Sequence, residues 1–155
     1  MPRDVMRRSA SDNQYLHKDF HGALSNGIEY LHDRFGESAV REYLREFTRT
    51  CFSPLIADLH TRGLVALAEH FRRIYGIEGA RAEISLSDEE LVIRVPYCPA
   101  VQHMRQNGYR VAGLFHETTK TVNEALVEDS DYEAELVEYD EETGRSVQRF
   151  ARRQR

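Results

Sequence analysis

Apolar positions in the first half of the chain recur at helical spacing. Between Gln14 and Phe35 they fall at Leu16, Phe20, Ala23, Leu24, Ile28, Leu31 and Phe35, which predicts one helix, and "FGES" closes it and opens the next. The second helix carries Val40, Tyr43, Leu44, Phe47 and Cys51. Pro54 should kink or break it, because proline removes an amide donor and clashes with the preceding turn. "PLIADLHTRG" then continues as a helix closed by Gly63. "LVALAEHFRRIYG" makes a third unit, with Leu64, Leu67, Phe71 and Ile74 on one side and Gly76 and Gly79 as stop signals.

The period then changes to two. "ARAEISL" and "ELVIRVPY" flank "SDE" as a β-hairpin, and "YEAELVEYD" and "RSVQRFARR" flank "EETG" as another. Between the hairpins lie a short helix, "PAVQHMRQNG", ended by Gly108, and a longer one, "VAGLFHETTKTVNEALVED". The expected order is three helices, hairpin, two helices, hairpin. The fold class is α+β: a helical N-terminal half, then two hairpins forming a four-stranded antiparallel sheet packed on helices. Residues 1–13 are polar and aperiodic and read as a flexible arm, so the expected single domain spans 14–152.

Composition narrows the class of function. Hydrophobic residues make up 41% of the 155, enough for a packed core. No apolar run approaches the roughly 20 residues of a membrane helix, and "MPRDVMRRSASDNQ" has arginines but no apolar stretch behind them, which argues against export and for the cytoplasm. The net charge of −5, with no basic patch interleaved with aromatics, argues against nucleic acid as a partner. Nor is a membrane expected. Charge is uneven: "EALVEDSDYEAELVEYDEE" is acidic and "RFARRQR" basic, both patterns of solvated faces. In such a chain Cys51 and Cys98 are expected as free thiols.

Cys98 is the residue with most chemical promise. In "VIRVPYCPAVQHMRQNGYRV" a strand ends at Tyr97 and Pro99 takes the first helical position, which leaves Cys98 as the N-cap. Free amides and the positive end of the helix dipole would surround its sulfur and favour the thiolate. Cys98 is therefore a candidate nucleophile; the plainer reading is a small buried residue at a turn. His103, five residues on, points away at about 100° per residue, and Gln102 is the better local neighbour. A base should come from elsewhere. The later helix offers one, because His116, Thr119 and Asn123 border its apolar stripe at helical spacing, suited to hold a substrate or orient water.

"LHKDFH" places His17 and His21 four residues apart on one helix face. Such a pair can bind zinc or another transition metal if a third ligand joins, with His116 or Cys98 as candidates. Hydrogen bonding is the plainer role for His17. "HET" at 116–118 is not the zinc signature HExxH, since Lys120 stands where its second histidine would be. There is no P-loop, GxGxxG after a strand, or serine nucleophile elbow.

The segments "CPAVQHMRQNG", "LFHETTKTVNEAL" and "EYDEETGRSVQRF" resemble the C-terminal half of the bacterial family named for 2-aminothiazoline-4-carboxylate hydrolase, over about residues 90–150. The likeness rests on a "CP" after a strand, a glycine ending the next short helix, and a glycine in the last hairpin. That family carries further cysteines in the helix and the final strand; His116 and Val147 stand there in this chain, so Cys98 alone carries over. A more distant resemblance is to vinyl-reductase-type sensor domains, small α+β modules that bind a ligand and regulate a partner.

The first resemblance implies a small-molecule hydrolase that attacks a C–N or C–S bond of a small heterocyclic or amide carboxylate. Cys98 would be its nucleophile or bind the leaving sulfur, His116 its acid/base with His17 a second candidate base, and Asn123 a positioning residue, with His17, Thr119 and Gln102 against the substrate and no cofactor. The alternative is a non-catalytic module for a small ligand or a metal, with His17 and His21 as ligands. A homodimer formed through the helices is a third expectation.

Overall fold

The computed structural model describes residues 19–154, so the arm read at 1–13 and His17 lie outside the described residues. Four helices precede the first strand: α1 (Asp19–Phe35), α2 (Glu37–Cys51), α3 (Ser53–Arg62) and α4 (Leu64–Glu78). The sequence reading counted three, because it let one helix run through Pro54. Instead Phe52 leaves helical geometry at φ −107°, ψ 17°, and Pro54 sits in the first turn of a new helix, where its missing amide costs nothing. Gly76 lies inside α4, and Gly79, at φ 72°, ends it in a left-handed cap.

Strands β1 (Glu83–Leu86) and β2 (Glu90–Val95) form the first hairpin. Helices α5 (Pro99–Gln106) and α6 (Glu117–Val127) follow, and β3 (Tyr132–Tyr139) and β4 (Ser146–Arg152) close the chain. The sheet is four-stranded and antiparallel in the order β1-β2-β4-β3, so the two hairpins meet along β2 and β4. The fold is α+β, with the strands after the helical first half.

Register assigns the faces. Ile93 pairs with Gln148, Leu91 with Phe150, and Ala134 with Phe150, so Ile84, Leu91, Ile93, Val95, Gln148 and Phe150 share the covered face. An irregularity at Val137 inserts one residue, which returns Tyr139 to the same face as Leu136. The opposite face carries Glu83 across from Arg94 and Arg149 across from Glu135, opposite charges that suit a solvated surface.

The core has two clusters. One joins Leu59, Leu67 and Phe71 of α3 and α4 to Leu91, Ile93 and Phe150 of the sheet. The other joins Ile28 of α1, Val40 and Leu44 of α2, and Val101 and Met104 of α5. Val122 of α6 packs against both. Buried Ser25 ties α1 to the segment before α6: its hydroxyl accepts from the Ala112 amide at 2.8 Å and donates to the Arg110 carbonyl at 3.2 Å. No described helix is long and apolar enough to cross a membrane.

Candidate functional site

Where the two clusters meet they leave a cavity of about 230 Å³. That exceeds the roughly 150 Å³ engineered cavity that holds benzene and is smaller than the roughly 300–1,000 Å³ of drug-sized sites. Its wall is mainly apolar, with Leu24 from α1, Leu44 and Phe47 from α2, Phe71 and Ile74 from α4, and Phe115, Val122 and Leu126 from α6 and the turn before it.

A polar seam crosses that wall. Gln148, 1% exposed, occupies an inward position of β4 between Ser146 and Phe150. Its side-chain carbonyl accepts from the Asn123 amide at 2.8 Å, and its own amide donates to the Tyr75 hydroxyl at 3.0 Å and to Ser146 Oγ at 3.2 Å. Asn123 is 5% exposed. An unpaired buried amide costs about 1–3 kcal/mol, so this continuous chain is what makes two carboxamides tolerable in the core. Burial pushes the Tyr75 phenol well above its ordinary range, and nearby Cys98 and Glu78 push the same way.

Cys98 takes the expected N-cap position, with extended backbone at φ −86°, ψ 121°, and it lines the cavity. Its surroundings oppose the thiolate that the N-cap position by itself favours. Burial raises the thiol above its ordinary value, outweighing the amides of Val101 and Ala100 that face the sulfur, and the Glu78 carboxylate adds to the rise. No capping hydrogen bond of good geometry forms to the sulfur. The cause of its burial is distant in sequence. The Cys98 amide donates to the Thr143 carbonyl at 2.9 Å, and buried Gly144, at φ 68°, brings the β3–β4 turn so close that a Cβ there would collide with Cys98 and Val101. Arg105 pins the same turn through the Glu142 and Glu141 carbonyls at 2.7 and 2.9 Å. Cys51 is exposed, and both cysteines are free.

Thr119 and Asn123, four residues apart on α6, both face the cavity with Cys98, and so does His21. His116 and Gln102 do not. The helix expected from Val111 begins at Glu117, so His116 is its N-terminal flanking residue, its carbonyl accepting from the Thr119 and Lys120 amides at 3.0 and 2.9 Å. Its ring lies 5.7 Å from that of Tyr139, and it lines a separate recess of about 60 Å³ with Arg105 and Glu141. His116 and Cys98 thus line different recesses. Gln102 is exposed on α5 and its side chain is not part of the cavity wall.

His21 Nε2 stands 3.6 Å from Glu78 Oε1 at the α1–α4 side of the cavity. Among the described residues no three His, Cys, Asp or Glu side chains converge as a metal set, and His17, the expected partner of His21, is not described.

Several contributors escaped sequence reasoning. Gln148 had a usable signal, since in "SVQRF" it shares strand parity with Phe150 and so had to point inward. Tyr75 extends the Phe71 stripe by one turn. His70 also lines the cavity, edge-on to Phe52 and Phe71, and burial drives its pKa down to about 4, with Arg73 assisting, so it is neutral at pH 7. Glu117 had no signal. It is 1% exposed, hydrogen-bonded to Thr121 at 2.6 Å and to Arg41 of α2 at 3.2 Å.

No protein-family model matches the chain, and no curated protein matches it.

Proposed function

We propose that this protein binds a small, mainly apolar molecule in the cavity between α1, α2, α4, α6 and β4, without chemical turnover at Cys98. The observation that carries the reading is the cavity itself: an apolar space at the seam of two core clusters, crossed by the buried Asn123–Gln148–Tyr75 chain. A few fixed polar groups in an apolar concavity are the usual make-up of a small-ligand site. The more distant likeness to ligand-binding sensor modules supports the same reading.

The hydrolytic alternative has Cys98 at the cavity wall in its favour. Against it stand the raised thiol and the placement of His116 in a different recess. A nucleophilic cysteine needs thiolate character or an adjacent base.

The test is ligand-induced stabilisation by indole and n-propylbenzene. A ligand at a hundred times its Kd adds about 2.7 kcal/mol, which appears as a rise of several degrees in Tm. The wall variant Val122→Trp should abolish the rise, and chemical-shift changes on ligand addition should cluster at Phe71, Phe115 and Leu126. Probes that leave both Tm and these signals unmoved would overturn the reading. Release of product from a thiazoline carboxylate, lost in Cys98→Ala, would restore the hydrolase.

A further inference from the structure

The cavity's polar seam specifies what kind of head group a ligand must carry. Follow the chain of hydrogen bonds from one end. Asn123 donates to Gln148, and Gln148 donates to Tyr75 and Ser146. The Tyr75 hydroxyl thus has one bond received and its own proton left over. At the other end the Asn123 carbonyl oxygen is left over. Among the described residues neither leftover group has a further protein partner, and Tyr75 and Asn123 both line the cavity. Turning both carboxamides over reverses the chain, so that Asn123 presents N–H and Tyr75 presents a lone pair. In either sense the two ends offer at least one donor and at least one acceptor.

The charges around the cavity narrow the choice further. The described wall contains no lysine or arginine; its titratable groups are Cys98, Tyr75, His70, and the His21–Glu78 pair. An anionic head group would enter an apolar space with no facing guanidinium or ammonium and with the Glu78 carboxylate nearby, and a cationic one would lose its hydration there while Glu78, the one carboxylate on the described wall, already faces His21 Nε2 at 3.6 Å.

We infer that the ligand is a neutral molecule with a compact apolar body and one head group that both donates and accepts a hydrogen bond, such as a primary carboxamide or a lactam, and that Tyr75 and Asn123 read this head. This inference rests on the cavity being a ligand site. It departs from the carboxylate substrates that the thiazoline-hydrolase resemblance implies.

Four probes with one phenyl body separate the ideas: 2-phenylacetamide, phenylacetate, 2-phenylethylammonium and n-propylbenzene, titrated into the full chain at pH 7 by calorimetry or ligand-observed NMR. The amide should bind about ten-fold or more tightly than either ion and than propylbenzene, the scale of one hydrogen bond to a group otherwise left unpaired. Tyr75→Phe removes a single oxygen and should fold; it should bring the amide-to-propylbenzene ratio to within about two-fold, and Asn123→Leu should do the same. Phenylacetate or the ammonium binding as tightly as the amide would overturn the head-group inference and leave the apolar-ligand reading standing. So would an amide preference untouched by Tyr75→Phe. Binding by none of the four, propylbenzene included, would overturn both.

Discussion

Two helices in the second half of the molecule begin beside a titratable side chain, and the two ends behave in opposite ways. At the start of α5 the Cys98 thiol faces the amides of Ala100 and Val101 and is still held in its neutral form. At the start of α6 the Glu117 carboxyl, 1% exposed, is held below its ordinary range: burial alone would raise it, and the Thr121 hydrogen bond and the Arg41 charge together overcome that burial, with His116 and Lys120 adding to them. Both groups have the positive end of a helix dipole, worth about 0.3–1 kcal/mol. Their difference lies in the partners supplied from elsewhere in the fold. Glu117 receives a guanidinium from α2 and a hydroxyl from its own next turn. Cys98 receives a glycine and a backbone carbonyl, which seal it without stabilising a charge. A helix N-terminus biases ionisation; desolvation and specific partners decide it.

The largest expected effect comes from breaking the seal. Gly144→Ala combines a left-handed backbone position with a Cβ that has no room against Cys98 and Val101, so it should cost about 2–5 kcal/mol, read as a lower urea midpoint. If the variant remains folded, Cys98 should label faster with iodoacetamide than in the parent. Unchanged stability would mean that the turn does not press on the cysteine.

Removing the charge partner at the other end comes next. Arg41→Ala leaves the buried Glu117 carboxylate without its guanidinium and should destabilise by about 2–3 kcal/mol. Arg41→Ala combined with Glu117→Gln should recover much of that loss, because no charge is then stranded. A double variant as unstable as the single one would show that the loss reflects side-chain packing.

The two ends should also differ in pH response. Glu117 has a lowered pKa in the folded state, so its contribution is present above the unfolded value and is lost as pH falls through the folded one. Cys98 has a raised pKa, so its contribution is present below the unfolded value and is lost as pH rises toward the folded one. His70 adds to the acid side, since its stability falls as pH drops from the unfolded 6.5 toward about 4. Urea midpoints across pH should therefore show Glu117→Gln flattening only the acid limb and Cys98→Ala only the alkaline limb. Equal flattening of both limbs by either variant would dissolve the distinction.

The smallest effect is kinetic. At neutral pH, iodoacetamide should modify exposed Cys51 well before Cys98. Faster labelling at Cys98 would place a thiolate there and revive the nucleophile.

Much of the architecture was legible from local pattern. The change from helical to alternating period after Gly79, the two hairpins, and the Tyr97–Cys98–Pro99 transition into α5 all follow from spacing and from proline and glycine chemistry. The errors have local causes as well. Pro54 permits either a bend or a restart, and the restart was settled by Phe52, which packs against the α3–α4 core cluster. The apolar residues Val111, Leu114 and Phe115 kept helical spacing although they precede α6, because Ala112 and Phe115 are buried from a turn, so the period was real and the helix was not.

The sequence by itself determined the helical first half, the change to alternating period, the two hairpins and the helix that starts at Pro99. Those are consequences of periods and dihedral preferences that reach only a few residues. Tertiary structure alone decided that Cys98 is buried under the β3–β4 turn, that His116 lines a different recess from Thr119 and Asn123, and that Tyr75, Asn123 and Gln148 form one chain along a cavity. Those outcomes depend on desolvation and hydrogen-bond partners summed over atoms that are neighbours in space and distant along the chain, from Arg41 to Gly144.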